Sequence, residues 1–164
     1  MARILVTAGS TWDEARADVA QKTGQIIHQM QSLVLKQPGP IGGGPCRGSF
    51  FTDYSAGPFN GPSEIENWFN HKLTICKRCR QAPEDVPPFK FTSFVLVHQN
   101  ISPRVLILDK SGRVWVIDWA DAGAYPQHRF PSFNEMVLSL IPRYPVDERQ
   151  LKSIAYGLTT AAWA

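Results

Sequence analysis

Apolar positions recur at a helical interval over the first third of the chain. Ala15, Val19, Thr23, Ile26, Ile27, Met30, Leu33 and Val34 fall on one stripe. Thr11-Trp12-Asp13-Glu14 stands ahead of it as a capping box, with a hydroxyl and a carboxylate three residues apart to satisfy free amides. Gly24 weakens the middle and Pro38 stops the pattern, so a helix is predicted near 11–36. A second stripe, Ile65, Trp68, Phe69, Leu73 and Cys76, follows Ser63-Glu64-Ile65-Glu66, which reads as a second capping box. It predicts a helix near 64–80. Between the two, residues 37–62 hold Pro38, Gly39, Pro40, Gly42, Gly43, Gly44, Pro45, Gly48, Gly57, Pro58, Gly61 and Pro62. They are predicted to form a loop with no regular element. A loop of that length inside a compact domain is often functional. Pro83, Pro87 and Pro88 make 82–90 another break.

From Phe91 the pattern changes. Phe94-Val95-Leu96-Val97 reads as a short buried strand. Val105 to Leu108 and Arg113 to Asp118 flank Asp109-Lys110-Ser111-Gly112, which is a strong hairpin signal. Phe133, Met136, Val137, Leu140 and Ile141 predict a helix near 132–141, and a last helix is predicted near 147–162. Helices with one small β element give an α+β class in a single domain over 1–164.

Composition narrows the function classes. The 164 residues are 43% hydrophobic and 19% charged, an ordinary globular balance with room for a core. The net charge of +3 is small and scattered, so no nucleic-acid partner is expected. No apolar run is long enough for a membrane span, and the apolar stretch near the N-terminus is too short for a secretory signal. Three cysteines, an odd number, point to reduced thiols and a cytoplasmic setting. Cys76-Lys77-Arg78-Cys79 invites a zinc reading, but no second pair stands at usable spacing. Cys46 and His71 would join only through a long loop, so no metal site is expected. No thioredoxin-like strand precedes the motif either, so two ordinary thiols on a basic helix end are expected.

The chemistry concentrates in 94–126. This stretch contains His98-Gln99-Asn100-Ile101-Ser102-Pro103-Arg104-Val105, then the hairpin, then Ile117-Asp118-Trp119-Ala120-Asp121-Ala122-Gly123-Ala124-Tyr125-Pro126. It resembles the catalytic core of the fungal aminoglycoside-phosphotransferase-like family, which reads H-G-D-L-x-P-R-N-I-L-V and I-I-D-W-E-x-A-G-x-Y-P. Upstream, Gly43-Gly44-Pro45-Cys46-Arg47 is similar to the family's G-G-P-C-R loop. Gly57-Pro58-Phe59 is similar to its G-P-F segment, so the likeness covers roughly residues 10–130. The resemblance implies the C-terminal lobe of a protein-kinase-like fold, with the small hairpin carrying the remnant motifs.

The departures from that pattern bear on activity. The family's catalytic Asp falls at Asn100, whose neutral amide does not accept a proton. Its magnesium-binding Asn falls at Val105, which has no oxygen for a hard cation. Asp118 keeps the metal-binding Asp, while the Glu after the Trp becomes Ala120. About nine residues precede the first predicted helix, too few for the β-rich lobe and phosphate-holding Lys of a kinase. Gly42-Gly43-Gly44 lacks the flanking strand and the Lys-Ser/Thr of a Walker motif.

Three candidate catalytic residues remain: His98, Asn100 and Asp118. His98 is either structural, bonding nearby backbone, or a general acid/base titrating near neutrality. Asn100 is either a relic or an amide that polarises a ligand carbonyl. One carboxylate makes a poor magnesium site, so Asp118 is expected to pair with Arg104 or His98 and hold the hairpin closed. Trp119, Tyr125, Arg104 and Asp121 are the candidate substrate-binding residues. The leading expectation is a non-phosphorylating enzyme that binds an apolar small molecule without a cofactor. It would cyclise or isomerise that molecule, with a Diels–Alder-type cycloaddition in fungal secondary metabolism as the sharpest version. The alternatives are a pseudokinase-like binding module, which can self-associate as a homodimer through the face a missing lobe would cover, and a residual ATP-dependent phosphotransferase.

Overall fold

The computed structural model describes residues 11–48, 51, 55–126 and 145–159. The predicted 132–141 helix lies outside them. The architecture is α+β, with four helices and small antiparallel sheets among the described residues.

Helix α1, Trp12–Gln31, starts as its capping box dictates. The Thr11 N–H donates to Glu14 Oε2 at 2.7 Å, and the Glu14 N–H donates back to Thr11 Oγ1 at 3.3 Å. Its buried face is Ala20, Thr23, Gly24, Ile27 and Met30. The helix ends earlier than the periodicity predicts. Ser32 Oγ caps the last turn by donating to Gln29 O at 2.7 Å, and Val34–Leu35 become strand β1. Leu33 and Val34 continue the apolar run whether the backbone is helix or strand, so spacing alone did not separate the two outcomes.

The larger sheet has the order β1-β3-β6-β2, all pairs antiparallel. Strands β3, Phe94–Val97, and β6, Gly123–Pro126, form its centre, with Leu96 opposite Ala124. Strand β2 is Gly39–Pro40, a regular element inside the segment predicted to be loop throughout. It exists because Gly123 opposite Pro40 has no side chain. A Cβ there would lie 2.8 Å from Pro40 Cα and collide with Gly39 O. Further along the same segment, Cys46 and Ala56 exchange backbone hydrogen bonds of 2.7 and 3.0 Å.

Helix α2, Pro62–Arg78, begins with proline in its first turn, and Ser63 makes no capping bond. The second capping box is therefore not formed. The Glu64 carboxylate instead accepts the Asn60 N–H at 2.8 Å, and Glu66 accepts the Phe91 N–H at 2.9 Å. Its buried face is Ile65, Phe69, Lys72, Leu73 and Cys76. Phe69 sits among Trp68, Phe89 and Phe91 at ring separations of 5.1 to 5.3 Å. Phe51 closes the cluster between Trp68 and Tyr125. The proline-rich strip after α2 joins no strand ladder. Asn70 brackets Phe89 with two hydrogen bonds, Lys77 Nζ donates to Glu84 O and Val86 O, and Gln150 Nε2 donates to Pro87 O and Pro88 O.

The predicted hairpin is present. Strands β4, Leu106–Leu108, and β5, Val114–Val116, pair in a separate two-stranded sheet. Asp109 makes its turn by accepting the Ser111 and Arg113 N–H groups, both at 2.9 Å. The hairpin packs on α1, where Leu106 meets Ala20 and Ile27, and Lys22 Nζ donates to Gly112 O at 2.8 Å. The predicted last helix is two pieces, α3, Pro145–Ser153, and α4, Ala155–Leu158. The break at buried Ile154 lets Gly157 approach α2, where its N–H donates to Cys76 Sγ at 3.2 Å.

Candidate functional site

Two chain reversals build the site. One follows β3 at His98-Gln99-Asn100, and the other follows the hairpin at Ile117-Asp118-Trp119. Gln99 and Asp118 both have left-handed backbone, with φ of 69° and 66°. Such a conformation costs a non-glycine residue about 1 kcal/mol and is rare outside turns and functional sites. Here it brings the two reversals together. Asn100 Nδ2 donates to Asp118 Oδ2 at 3.3 Å, and both residues are exposed.

His98 joins the two reversals from inside. It is buried, with Nε2 2.9 Å from Ile117 O and Nδ1 accepting the Asn100 N–H at 3.3 Å. Because Nδ1 accepts, the single ring proton belongs on Nε2, where it is donated to Ile117 O. Burial pushes the imidazole pKa down, against the bond to Ile117 O and the charges of Asp118 and Asp121, which favour the cation. Trp119 stands edge-on to the His98 ring at 4.8 Å, and its indole N–H donates to Val116 O at 2.8 Å.

The expected partner of Asp118 is corrected. Among the described residues no ion pair joins it to Arg104, and the ring proton of His98 goes to a backbone carbonyl. The left-handed turn gives the Asp118 carboxylate to Asn100 instead. Arg104 is exposed on the 3₁₀ turn Pro103–Val105. Val105, at the position where the resemblance puts a magnesium ligand, is buried. Asp121 is half-buried beside Gly48.

Tyr125 lies apart from the others. It is 0% exposed in the core against Phe51, and its hydroxyl faces the Cys46 thiol, a weak partner. Burial raises both groups, the thiol to about 11. The structure thus gathers His98, Asn100, Asp118, Trp119 and Asp121 at one corner and leaves Tyr125 in the interior.

Two contributors were not foreseen. Gly48, at φ 98°, leans on the site so closely that a Cβ would lie 2.8 Å from Gln99 Cβ and 3.4 Å from Asp121 Cβ. Gly48 directly follows the Gly-Gly-Pro-Cys-Arg segment, and that was its available signal. Gln99 carries no signal, since glutamine is not a residue that marks left-handed turns. The cysteines stay apart in kind: Cys76 is buried against Gly157, and Cys79 is exposed at the end of α2.

No family model matches this chain, and neither curated proteins nor solved structures yield a similar one.

Proposed function

We propose that this chain is a non-phosphorylating, kinase-lobe-like protein that binds an apolar small molecule at the corner formed by Asn100, Asp118 and Trp119. The observation that carries this reading is the 3.3 Å Asn100–Asp118 pair, which sets an exposed donor and acceptor beside a partly exposed indole. The pair offers directed hydrogen bonds and an apolar surface. It lacks the acid–base and two-ligand metal chemistry of a phosphoryl-transfer site, because Asn100 is neutral and Val105 is buried. His98 supports binding more than proton transfer, since both of its nitrogens are engaged with backbone. His98 is therefore assigned a positioning role. The reaction class proposed for the bound molecule is cyclisation or isomerisation, with Asn100 Nδ2 donating to a ligand carbonyl and Trp119 holding the apolar body.

The test is thermal denaturation with fractionated apolar metabolites, alongside calorimetric titration with ATP with and without magnesium. A bound fraction at about 100 times its Kd stabilises by about 2.7 kcal/mol, and Trp119→Ala should remove that ligand-induced shift, measured against the variant's own unliganded melt. Magnesium-dependent ATP binding would overturn the reading in favour of a phosphotransferase.

A further inference from the structure

Of the five asparagines in the chain, only Asn60 is followed by glycine. The pair forms the entry to α2, with Asn60 exposed and Gly61 as the N-cap. An asparagine closes on itself when the next backbone nitrogen attacks its amide carbon, and a side chain on the next residue hinders that approach. Gly61 has none, and a Cβ built there would meet nothing within 4 Å. Among the described residues its N–H donates to no acceptor. The other described asparagines lack this freedom. Asn67 and Asn70 lie inside α2, where the next nitrogens belong to the helix ladder. Asn70 is also held by Phe89 through both side-chain polar atoms. Asn100 precedes Ile101, whose branched Cβ crowds the attacking nitrogen.

The Asn60 amide sits on Glu64. Its Nδ2 donates to Glu64 Oε1 and Oε2 at 3.1 and 3.2 Å, and the Asn60 N–H donates to Oε2 at 2.8 Å. These are the only partners of that carboxylate among the described residues, and they hold its pKa below the ordinary value. On the other side, Asn60 O accepts from Gln37 Nε2 at 2.8 Å, which ties the turn between β1 and β2 to the start of α2.

We propose that Asn60–Gly61 is a self-modifying site, where the chain converts its own amide to an acid and so releases the start of α2. The Gly61 nitrogen bonds to Asn60 Cγ, and its proton leaves with Nδ2 as ammonia, giving a cyclic imide. Water opens the imide at either carbonyl, to aspartate or isoaspartate. In sum, amide and water become carboxylate and ammonium, with no oxidant or cofactor. Either product places a second carboxylate where Nδ2 donated, so attraction to Glu64 turns into repulsion. Isoaspartate also lengthens the main chain by one carbon, so the bonds of residue 60 to Glu64 and Gln37 cannot both keep their geometry.

The full chain is aged at neutral pH and physiological temperature, and each asparagine is followed by peptide mass mapping with an enzymatic assay for isoaspartate. Asn60 should convert first, mainly to isoaspartate. Gly61→Ala should slow that conversion at least about tenfold. If its melt is lowered by the loss of the glycine cap, Gly61→Ser gives the same readout with a hydroxyl to cap the helix. Asn60→Asp reproduces the charge of the product. Its melting temperature should lie roughly 1–4 °C below wild type at neutral pH. The gap should close below about pH 4, where the paired carboxylates take up protons. Conversion at Asn60 no faster than at the other asparagines, or unchanged in both Gly61 variants, would overturn the proposal. So would an Asn60→Asp chain that melts with wild type at neutral pH, because Glu64 would then not register the new charge.

Discussion

Gly123→Ala adds one methyl group where two backbones touch. The new Cβ would lie 2.8 Å from both Gly39 C and Pro40 Cα, and nearer still to Gly39 O. Ordinary contact begins at 3.4 Å, and all three atoms are main chain, so no side chain can swing aside. Strand β2 would have to retreat by roughly 1 Å, an overpacking strain of about 1–3 kcal/mol. That retreat stretches the Ile41 N–H bond to Ala122 O, now 3.0 Å, and loses about another 1 kcal/mol. Gly123 is outside the left-handed region, so alanine adds no dihedral strain and recovers about 0.4–1 kcal/mol from a stiffer unfolded chain. The net expectation is a loss of about 1–3.6 kcal/mol, or roughly 2–14 °C in Tm for a chain of this size. Urea and thermal unfolding followed by far-ultraviolet circular dichroism measure it. Gly42→Ala is the complementary control, with nothing within 4 Å of its Cβ but a φ of 96°, so it carries dihedral strain without a clash. An unchanged Tm for Gly123→Ala would mean that β2 does not pair with β6, and the account of that sheet edge would fail.

Two further outcomes follow from the core and the buried imidazole. Phe69→Ala empties the centre of the aromatic cluster and should cost about 3–5 kcal/mol in urea unfolding, whereas a loss below about 1 kcal/mol would mean that those rings do not pack as described. Because the His98 pKa is lower folded than unfolded, the unfolded chain takes up the proton first. Stability should therefore fall as pH drops below about 6.5 and level off below the folded pKa. His98→Gln should flatten that part of the stability–pH curve, and two parallel curves would refute the linkage.

What was legible in the sequence was local. Thr11 and Glu14 make their capping bonds within one turn. Asp109 and Gly112 make the hairpin turn within four residues, with strands of Val, Leu and Ile on either side. What was not legible depends on distant pairs. Gly39–Pro40 became a strand because Gly123 leaves room for it. The predicted box at Ser63 failed because the helix starts at Pro62, with Gly61 as its N-cap, and Glu66 serves the Phe91 N–H 25 residues away. Motif order placed His98, Asn100 and Asp118 in one neighbourhood, but not the Asn100–Asp118 bond, which follows from left-handed turns at Asp118, a residue type that tolerates them, and at Gln99, one that does not announce them. Tyr125 shared the motif's text and not its surface, because β6 is an interior strand of the sheet, buried at Gly123, Ala124 and Tyr125 alike.

The strip around Pro87 and Pro88 borrows its order. Its carbonyls are satisfied by side chains from helices on either side, and Gln150 lies 62 residues beyond Pro88. During synthesis this strip leaves the ribosome long before its later clasp exists. Asn70 and Lys77 of α2 can already hold Phe89, Glu84 and Val86, whereas the carbonyls of Pro87 and Pro88 wait for Gln150, so these two prolines are the part of the strip whose order depends on a helix made later.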